Sequence, residues 1–262
     1  MPTTYTHHRF GGECADTLGK EAAAAVMARR PLFDTGVHGP DLLFYYRAPL
    51  PTRVAKRGSA LHRESARSFF EHARLVWNTR SDKEGMLAYL LGFLAHFALD
   101  SVCHGFINSE CARLGVTHNR LEAVWDARLM LRDGRRPSQV YRGEALKPDA
   151  ANAAVIAPFY DLSDAEALSA MRGQARVMRL LRSPRGVKKR LLRGAIRAAH
   201  LPGGFDDLFI DDSIPPALSP ALDRLDALYS GALAEYPYMA RQLYGFLQGN
   251  GELPARFDRD FE

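Results

Sequence analysis

Four histidines and two carboxylates in the first half of the chain have spacings that suit a multinuclear metal site. They are His62, His96, Asp100, His104, His118 and Glu122. His96, Asp100 and His104 follow one another at every fourth residue, and His118 and Glu122 repeat this spacing. Side chains four residues apart lie on one face of an α-helix, one turn above another. Because imidazole and carboxylate are the ligand set of catalytic zinc, the spacing predicts a zinc centre that hydrolyses a substrate.

The helix expected to carry three of these residues is unusually apolar. Its apolar run from Met86 to Leu99 is about 14 residues long, short of the ~20 that span a bilayer, and His96 interrupts it. The run predicts a central helix that is buried on all sides. Unpaired polar groups are costly to bury, so we expect His96 and Asp100 to bind metal. The alternative is a set of buried polar residues that bond only to one another.

The composition bounds the class of protein. The chain has 262 residues, 47% hydrophobic and 25% charged, which is typical of a globular protein with one large core or two small ones. Three cysteines are too few, and odd in number, for a disulfide framework. The first residues contain no apolar stretch of the kind found in secretory signals, so we expect a cytoplasmic protein.

The pattern of apolar residues predicts an all-α fold, arranged as a single multi-helix domain with the metal site between helices. No alternating strand pattern and no internal repeat is visible. Helices are predicted over 12–30, 61–77, 83–107, 119–131, 150–160, 164–181, 187–199, 216–234 and 237–247. Thr117 is a plausible N-cap and Gly134 a stop for the helix over 119–131. We expect a loop over 35–51, and no linker between a metal-site portion (1–143) and a C-terminal portion (144–262).

At this level of detail the chain resembles the bacterial zinc-dependent phospholipase C family, whose fold is related to that of the P1-type nucleases. The resemblance is carried by short motifs that occur in the same order over roughly the first half of the chain. These motifs are Thr6-His7, Gly39-Pro40-Asp41, Leu61-His62-Arg63-Glu64, the stretch GFLAHFALDSVCHGFIN from Gly92 to Asn108, and Thr117-His118-Asn119-Arg120-Leu121-Glu122.

The resemblance implies three zinc ions. One would be held by His104, His118 and Glu122, and a second by His62, His96 and Asp100. The third would take His7 and the amine and carbonyl of the N-terminal residue, with Asp100 as a bridge. The family exposes an N-terminal Trp for this purpose, whereas this chain starts Met1-Pro2. We therefore expect two zinc ions and leave the third open.

Asp41 matches the carboxylate proposed as the general base of the family. Zinc lowers the pKa of a bound water towards ~7, and Asp41 would orient that water or accept its proton. The resemblance therefore implies a phospholipase C that cleaves the glycerol–phosphate bond of a phospholipid. The aromatic and acidic residues that cradle choline have no clear counterparts. Phe44, Tyr45 and Tyr46 are candidates to shape a pocket, and the headgroup stays open.

Some neighbouring residues have more than one interpretation. We prefer His7 over His8 as a ligand because His7 follows Thr6, although spacing alone does not separate adjacent histidines. Cys103 adjoins the cluster and is expected to be a small buried apolar residue. The histidines assigned a surface or structural position are His38, His72 and His200.

Asp126 lies one turn beyond Glu122. We expect it to form a salt bridge with Arg128 or Arg132, or else to support His118 from behind. The other candidates for such support are Glu64 and Asn108.

The positive charge is local. The stretch from Arg172 to Arg197 holds ten Lys or Arg and no Asp or Glu, while the net charge of the whole chain is +5. An amphipathic basic helix in this stretch suits peripheral contact with an anionic membrane, or else is a solvated face over the core. Nucleic acid is a weaker alternative because no aromatic residues alternate with these basic ones.

Two rival functions remain beside a phospholipase C. A zinc phosphodiesterase or nuclease would use the same metals on another phosphodiester. A non-catalytic zinc protein would use them to stabilise a membrane-binding or partner-binding fold. An HD-type phosphohydrolase is disfavoured because that family needs adjacent His and Asp, a pair that this sequence lacks.

Overall fold

The computed structural model describes residues 4–182, 186–198 and 205–261. These residues form α-helices joined by turns and short 3-10 helices, and none of them belongs to a strand. The all-α prediction is therefore confirmed. The helices are α1 (Thr4–Ala15), α2 (Lys20–Ala28), α3 (Arg30–Gly36), α4 (Arg53–Arg63), α5 (Ala66–Thr79), α6 (Lys83–Leu114), α7 (His118–Arg132), α8 (Ala150–Ile156), α9 (Asp164–Leu181), α10 (Gly186–Ala198) and α11 (Ser219–Leu247).

Helix α6 is the axis of the fold, and α1, α2, α3, α7 and α11 pack around it. Every residue from Gly85 to Asp100 is buried, because this stretch is apolar on all faces. Asp82 caps its first turn and left-handed Gly115 ends its last. By length and composition α6 is long enough to cross a bilayer, but 89% of its most apolar window is buried inside the fold.

Two glycines allow α3 to cross α6 with the backbones in direct contact. A Cβ added at Gly36 would lie 2.2 Å from the carbonyl oxygen of Tyr89, and one added at Gly92 would lie 2.2 Å from that of Phe33. Neither carbonyl can move without breaking its helix. The close crossing fixes the height of α6 relative to the segment that follows α3, and this segment carries Asp41.

Two predicted helices are broken in the structure. The prediction of one helix over 12–30 is wrong, because α1 ends at Ala15, α2 ends at Ala28 and a new helix begins at Arg30 with Pro31 in its first turn. The prediction over 61–77 is also wrong. Glu64 is extended (φ −86°, ψ 152°) and the side chain of Ser65 accepts from the Arg67 amide, so a new helix starts there. His62 therefore lies in the last turn of α4.

Other helices have boundaries closer to those predicted from the sequence. Helix α9 has the predicted bounds, and α7 begins after Thr117, whose side chain accepts from the amide of Arg120. Helix α6 continues beyond its predicted end at residue 107. The loop predicted over 35–51 contains a 3-10 helix, Gly39–Tyr45. The prediction over 150–160 is split between α8 and a second 3-10 helix, Ala157–Tyr160.

The two helices predicted on either side of Pro237 are one helix, α11, with the proline inside it. An interior proline loses one backbone hydrogen bond and costs about 3 kcal/mol. The cost is offset because both halves bury apolar side chains against the core, among them Leu225 and Leu243. After α11 the chain returns through the 3-10 helix Ala255–Asp258, and Phe261 ends fully buried beside α6.

Replacing Gly92 by alanine is expected to destabilise the protein by about 1–3 kcal/mol, because the added methyl group collides with a helix backbone. Urea unfolding followed by circular dichroism measures this change. The control is Gly231→Ala in α11, where the new Cβ would meet nothing within 4 Å. There the better helix propensity of alanine should stabilise by about 0.5–1 kcal/mol. Equal effects at the two sites would show that the crossing is not tight.

Candidate metal centre

Five elements bring all eight predicted site residues to one side of α6. Helix α6 contributes three of them on successive turns, as the spacing predicts, and α7 contributes two from its first and second turns. The others come from α1, from the 3-10 helix Gly39–Tyr45 and from α4. Three groups with mutually close ligand atoms result: His7, His96 and Asp100; Asp41, His62 and His96; and His104, His118 and Glu122.

Asp100 lies at the centre of the cluster. One of its oxygens is 3.1 Å from His7 Nε2 and 3.6 Å from His104 Nε2, and the other is 2.9 Å from His96 Nε2. Two of these imidazoles come from the turns of α6 before and after Asp100, and the third comes from α1. This carboxylate therefore joins the buried and the exposed parts of the cluster.

The outer group opens towards solvent. Glu122 Oε1 lies 3.2 Å from His118 Nε2 and 3.5 Å from His104 Nε2. The Glu122 side chain is buried, whereas 35% of the His118 side chain is exposed. A substrate that approaches the cluster from solvent can reach this end first.

The inner groups are almost closed, and they differ from the grouping implied by the resemblance. The resemblance puts His62, His96 and Asp100 on one metal ion. In the structure, His96 forms one group with His7 and Asp100 and a second group with Asp41 and His62. His7 stacks on His96 with ring centroids 4.3 Å apart. Asp41 Oδ1 is 3.1 Å from His62 Nε2, so Asp41 joins a ligand group itself.

The distances fit a tetrahedral metal. Two ligand atoms that are each about 2.0–2.1 Å from a zinc ion lie roughly 3.3–3.4 Å apart, and the nitrogen–oxygen separations in the cluster run from 2.9 to 3.6 Å. His96 Nε2 is buried and makes no hydrogen bond within the part of the chain that the structure describes, although a carboxylate oxygen is 2.9 Å away. A buried imidazole nitrogen without a partner is costly, and a shared cation removes this cost.

Two of the candidate ligands, His62 and His118, are oriented by hydrogen bonds at Nδ1. Nδ1 of His62 lies 2.8 Å from the carbonyl of Gly58, and Nδ1 of His118 lies 2.9 Å from Oδ1 of Asn108. Both oxygens can only accept, so each Nδ1 carries a proton, and in the neutral ring Nε2 is then the nitrogen with a lone pair for a ligand bond. The expectation that Asn108 supports the cluster agrees with this geometry. Glu64 instead pairs with Arg57, 3.0 Å away.

Gly39 explains why the Gly39-Pro40-Asp41 segment can approach α6. Its φ is +48°, a value that L-residues rarely adopt, and a Cβ there would lie 2.2 Å from the ring of His96. The carbonyl of Gly39 accepts a hydrogen bond from Tyr160, which is itself buried. The glycine thus lets the backbone close over the imidazole and positions Asp41.

The electrostatics keep the carboxylates ionised. Burial alone would raise the pKa of Asp100, but the three imidazoles around it hold that pKa well below its usual range. The pKa of Glu122 is also held well below its usual range despite its burial, and hydrogen bonds from His104 and His118 are among the causes. Burial lowers the pKa of His96. The result is a buried set of anionic oxygens beside imidazoles, and these imidazoles become the donor set that zinc prefers once a metal ion replaces their protons.

Asp126 has a different role from the one expected. The predicted salt bridge with Arg128 or Arg132 is wrong, because both arginines pair with Asp226 at 3.1 and 2.7 Å. Fully buried Asp126 instead accepts hydrogen bonds from the amide (2.9 Å) and hydroxyl (2.7 Å) of Thr6. It therefore caps the start of α1 and fixes the helix that carries the neighbouring His7.

Phe261 completes the wall behind the cluster, and no sequence motif predicts it. Its ring centroid lies 5.7 Å from that of His62 and 5.9 Å from that of His96. Its amide donates to the carbonyl of His62. The only signal in the sequence is an isolated aromatic, which gives no hint of its partner.

The remaining candidates lie apart from the ligand groups. Cys103 is buried and belongs to none of the groups formed by the described residues. His38 is buried, and His72 contacts the carbonyl of Pro158 at 3.1 Å, so both occupy structural positions. His200 lies outside the described residues, as do Met1 and Pro2.

The three aromatic residues expected to shape a pocket have different neighbours. Phe44 stacks on His62 with centroids 5.4 Å apart. Tyr45 is buried in a small cluster with Leu146 and Met178, and the guanidinium of Arg47 lies over the ring of Tyr46. Phe44 is thus the aromatic residue of this segment that contacts a candidate ligand.

The chain matches a known protein family. A family model described as zinc dependent phospholipase C matches residues 6–166, a span that contains all eight predicted site residues and ends in the first turn of α9. No curated protein and no solved structure matches the chain.

Replacing Asn108 by alanine should lower metal affinity about 10–100-fold, because the His118 ring loses the acceptor that orients it. Competition with a chromogenic chelator measures the affinity. Asn108→Asp keeps an acceptor and should retain tight binding. Ser109→Ala, on the exposed side of the same turn, is the matched control. Unchanged affinity in Asn108→Ala would show that the hydrogen bond does not orient the ligand.

The stability of the metal-free protein should depend on the proton held by His104. Burial opposes that proton, but Asp100 and Glu122 outweigh it and raise the pKa of His104 from 6.5 to about 9. The folded state therefore binds the proton more tightly than the unfolded chain, and the stabilisation is full below pH 6.5 and is lost as pH rises through 9.

We therefore expect the free energy of unfolding of chelator-treated protein to fall between pH 6.5 and 9 in urea titrations. The His104→Gln variant should show a smaller decline over this range. A flat profile for the wild-type protein would contradict the assignment. In the same range zinc binding should release protons, since the metal replaces them on the imidazole.

Proposed function

The chain belongs to the zinc dependent phospholipase C family, and on that premise we propose that it hydrolyses a phospholipid at the glycerol–phosphate bond and releases the phosphorylated headgroup. The observation that carries the proposal is the convergence of five imidazoles and three carboxylates within the matched span. They form three groups: two share His96, and Asp100 links these to the third through His104. An isolated metal-binding motif would support zinc binding without supporting this reaction.

Zinc bound by these groups would supply a water of lowered pKa and positive charge to stabilise the phosphoryl oxygens and the leaving alkoxide. The residues that would hold it are His104, His118 and Glu122 at the open end, with the His7, Asp41, His62, His96 and Asp100 groups behind them. Phosphoester hydrolysis depends on positioning and charge stabilisation more than on covalent catalysis, and a rigid cluster anchored on α6 supplies both.

Asp41 is suited to orient the attacking water or accept its proton. Although burial alone would raise it, the pKa of Asp41 lies well below its usual range, with a hydrogen bond from His62 and the nearby imidazoles among the causes, so Asp41 is an anion at neutral pH. An ionised carboxylate can orient such a water, and so low a pKa favours this role over taking the proton, because a general base works best with a pKa near the operating pH. Its place beside His62 and His96 also lets it contribute a ligand oxygen.

Replacing Glu122 by alanine should abolish hydrolysis and lower the zinc content, because the outer group loses its only carboxylate. Replacing Asp41 by asparagine should lower kcat about 10²–10⁴-fold. Zinc per chain, measured by elemental mass spectrometry beside the rate, separates the two roles of Asp41. Retained zinc with lost turnover indicates a base, whereas lost zinc indicates a ligand. Glu84→Ala, which removes an exposed carboxylate from the first turn of α6, is the control.

The substrate class is tested on phosphatidylcholine, phosphatidylinositol, single-stranded DNA and an aryl phosphodiester. The proposal expects hydrolysis of at least one phospholipid, lost in Glu122→Ala. Cleavage of DNA without cleavage of any lipid would replace it with a nuclease. Tightly bound zinc without hydrolysis of any phosphoester would replace it with a structural role for the metal.

A further inference from the structure

Helix α10 presents apolar side chains to solvent. Val187 and Leu191, one turn apart on the same face, are 69% and 70% exposed, while Leu192 and Ile196 on the opposite side are partly buried. In a helix that only covers a core, the apolar stripe faces inward. The outward stripe of α10 therefore has no partner among the described residues.

The orientation of α10 is fixed by its own cations. Lys188 Nζ donates to the carbonyls of Arg179 and Arg182, at 3.1 and 2.8 Å, and Lys189 pairs with Asp211. These contacts fix the Lys188 and Lys189 side towards the protein. Val187 and Leu191 are consequently held outward by the ion pair and the hydrogen bonds on the other face.

Several exposed arginines next to this stripe have no acidic partner. Arg190 lies beside Leu191 on α10, and α9 exposes Arg172, Arg176 and Arg179 along one side. None of the four forms an ion pair with any residue that the structure describes. The stretch from Arg172 to Arg197 contains no Asp or Glu, so these four arginines present positive charge that an anionic partner can neutralise.

We propose that the outward face of α10, together with the exposed arginines of α9, docks on an anionic phospholipid bilayer. Apolar side chains at one helical face with arginine beside them are the features of a helix that lies in the membrane interface. Residues Gly186–Ala198 contain no aromatic side chain to stack on bases, which disfavours single-stranded nucleic acid as the occupant. The proposal rests on the proposed function in one respect: an enzyme that hydrolyses phospholipids must meet a lipid surface.

The inward side of α10 is connected to the open end of the metal cluster through one short segment of the chain. Asp211, which pairs with Lys189 of α10, also lies 3.5 Å from Arg120, two residues after His118 on α7. Thr117, the N-cap of α7, donates a hydrogen bond to Asp207 in the same connecting segment (2.6 Å). Helix α10 is thus held near the start of α7, the helix end that carries the exposed His118.

Vesicle flotation with the metal-loaded full chain, in brief incubations in the cold, tests the docking face. The vesicles are phosphatidylcholine alone or phosphatidylcholine mixed with phosphatidylserine. We expect binding to the anionic vesicles only, weakened by added salt. Arg176→Gln combined with Arg190→Gln should weaken it roughly 10–30-fold, and Val187→Ser combined with Leu191→Ser should weaken it by a comparable factor. Circular dichroism and zinc content verify that each variant is folded.

Matched controls use exposed residues elsewhere. Met27→Ser with Leu75→Ser removes two exposed apolar side chains, and Lys20→Gln with Arg224→Gln removes two exposed charges. Neither pair should change binding. Equal binding to both kinds of vesicle, no binding, or the same loss in controls and test variants would overturn the proposal. Preferential binding of an oligonucleotide over anionic vesicles would also overturn it.

A separate assay distinguishes failure of the docking face from failure of the proposed function. The wild-type chain is tested on a soluble short-chain phospholipid, which needs no membrane docking. Hydrolysis of this substrate without preference for anionic vesicles would overturn the docking face alone. Binding to anionic vesicles without hydrolysis of any phospholipid would support the docking face and overturn the proposed function.

Discussion

The carboxylate of Asp100 lies in the most buried helix of the molecule, and it stays ionised there only because positive charge or metal is close by. Burial of an unpaired carboxylate costs several kcal/mol. Imidazoles from α1 and from two turns of α6 converge on it within 3.6 Å. The apolar packing of α6 against α3 and α11 provides the dry environment in which these electrostatic interactions are strong.

The cluster is asymmetric: its inner groups are closed off from solvent, whereas its outer group is open. The groups around His96 are closed behind Gly39 and Phe261, where a metal ion would chiefly be held in place. The group around Glu122 opens at His118, where a substrate can be reached. The family match stops at residue 166, yet the wall behind His62 and His96 comes from the far end of the chain. The C-terminal third therefore takes part in the site although it contributes no candidate ligand.

Local patterns predicted the parts of the fold that depend on local physics. The fourfold spacing put His96, Asp100 and His104 on one face of α6, and Thr117 marked the start of α7. The breaks after Ala15 and at Glu64 were missed because an interruption of two to four residues barely disturbs helical periodicity. The roles of Asp126 and Phe261 were not predictable, since each is decided by a contact with a residue more than a hundred positions away.

The contact between Phe261 and His62 also bears on the order in which the protein matures. A chain emerging from the ribosome exposes His62, His96 and Asp100 long before Phe261 is synthesised. Until then the imidazoles lack the wall and the backbone hydrogen bond that complete their surroundings. Contacts of such wide sequence separation form late in folding. The surroundings of His62 and His96 are therefore complete only after synthesis of almost the entire chain, and a metal ion bound there would be enclosed late.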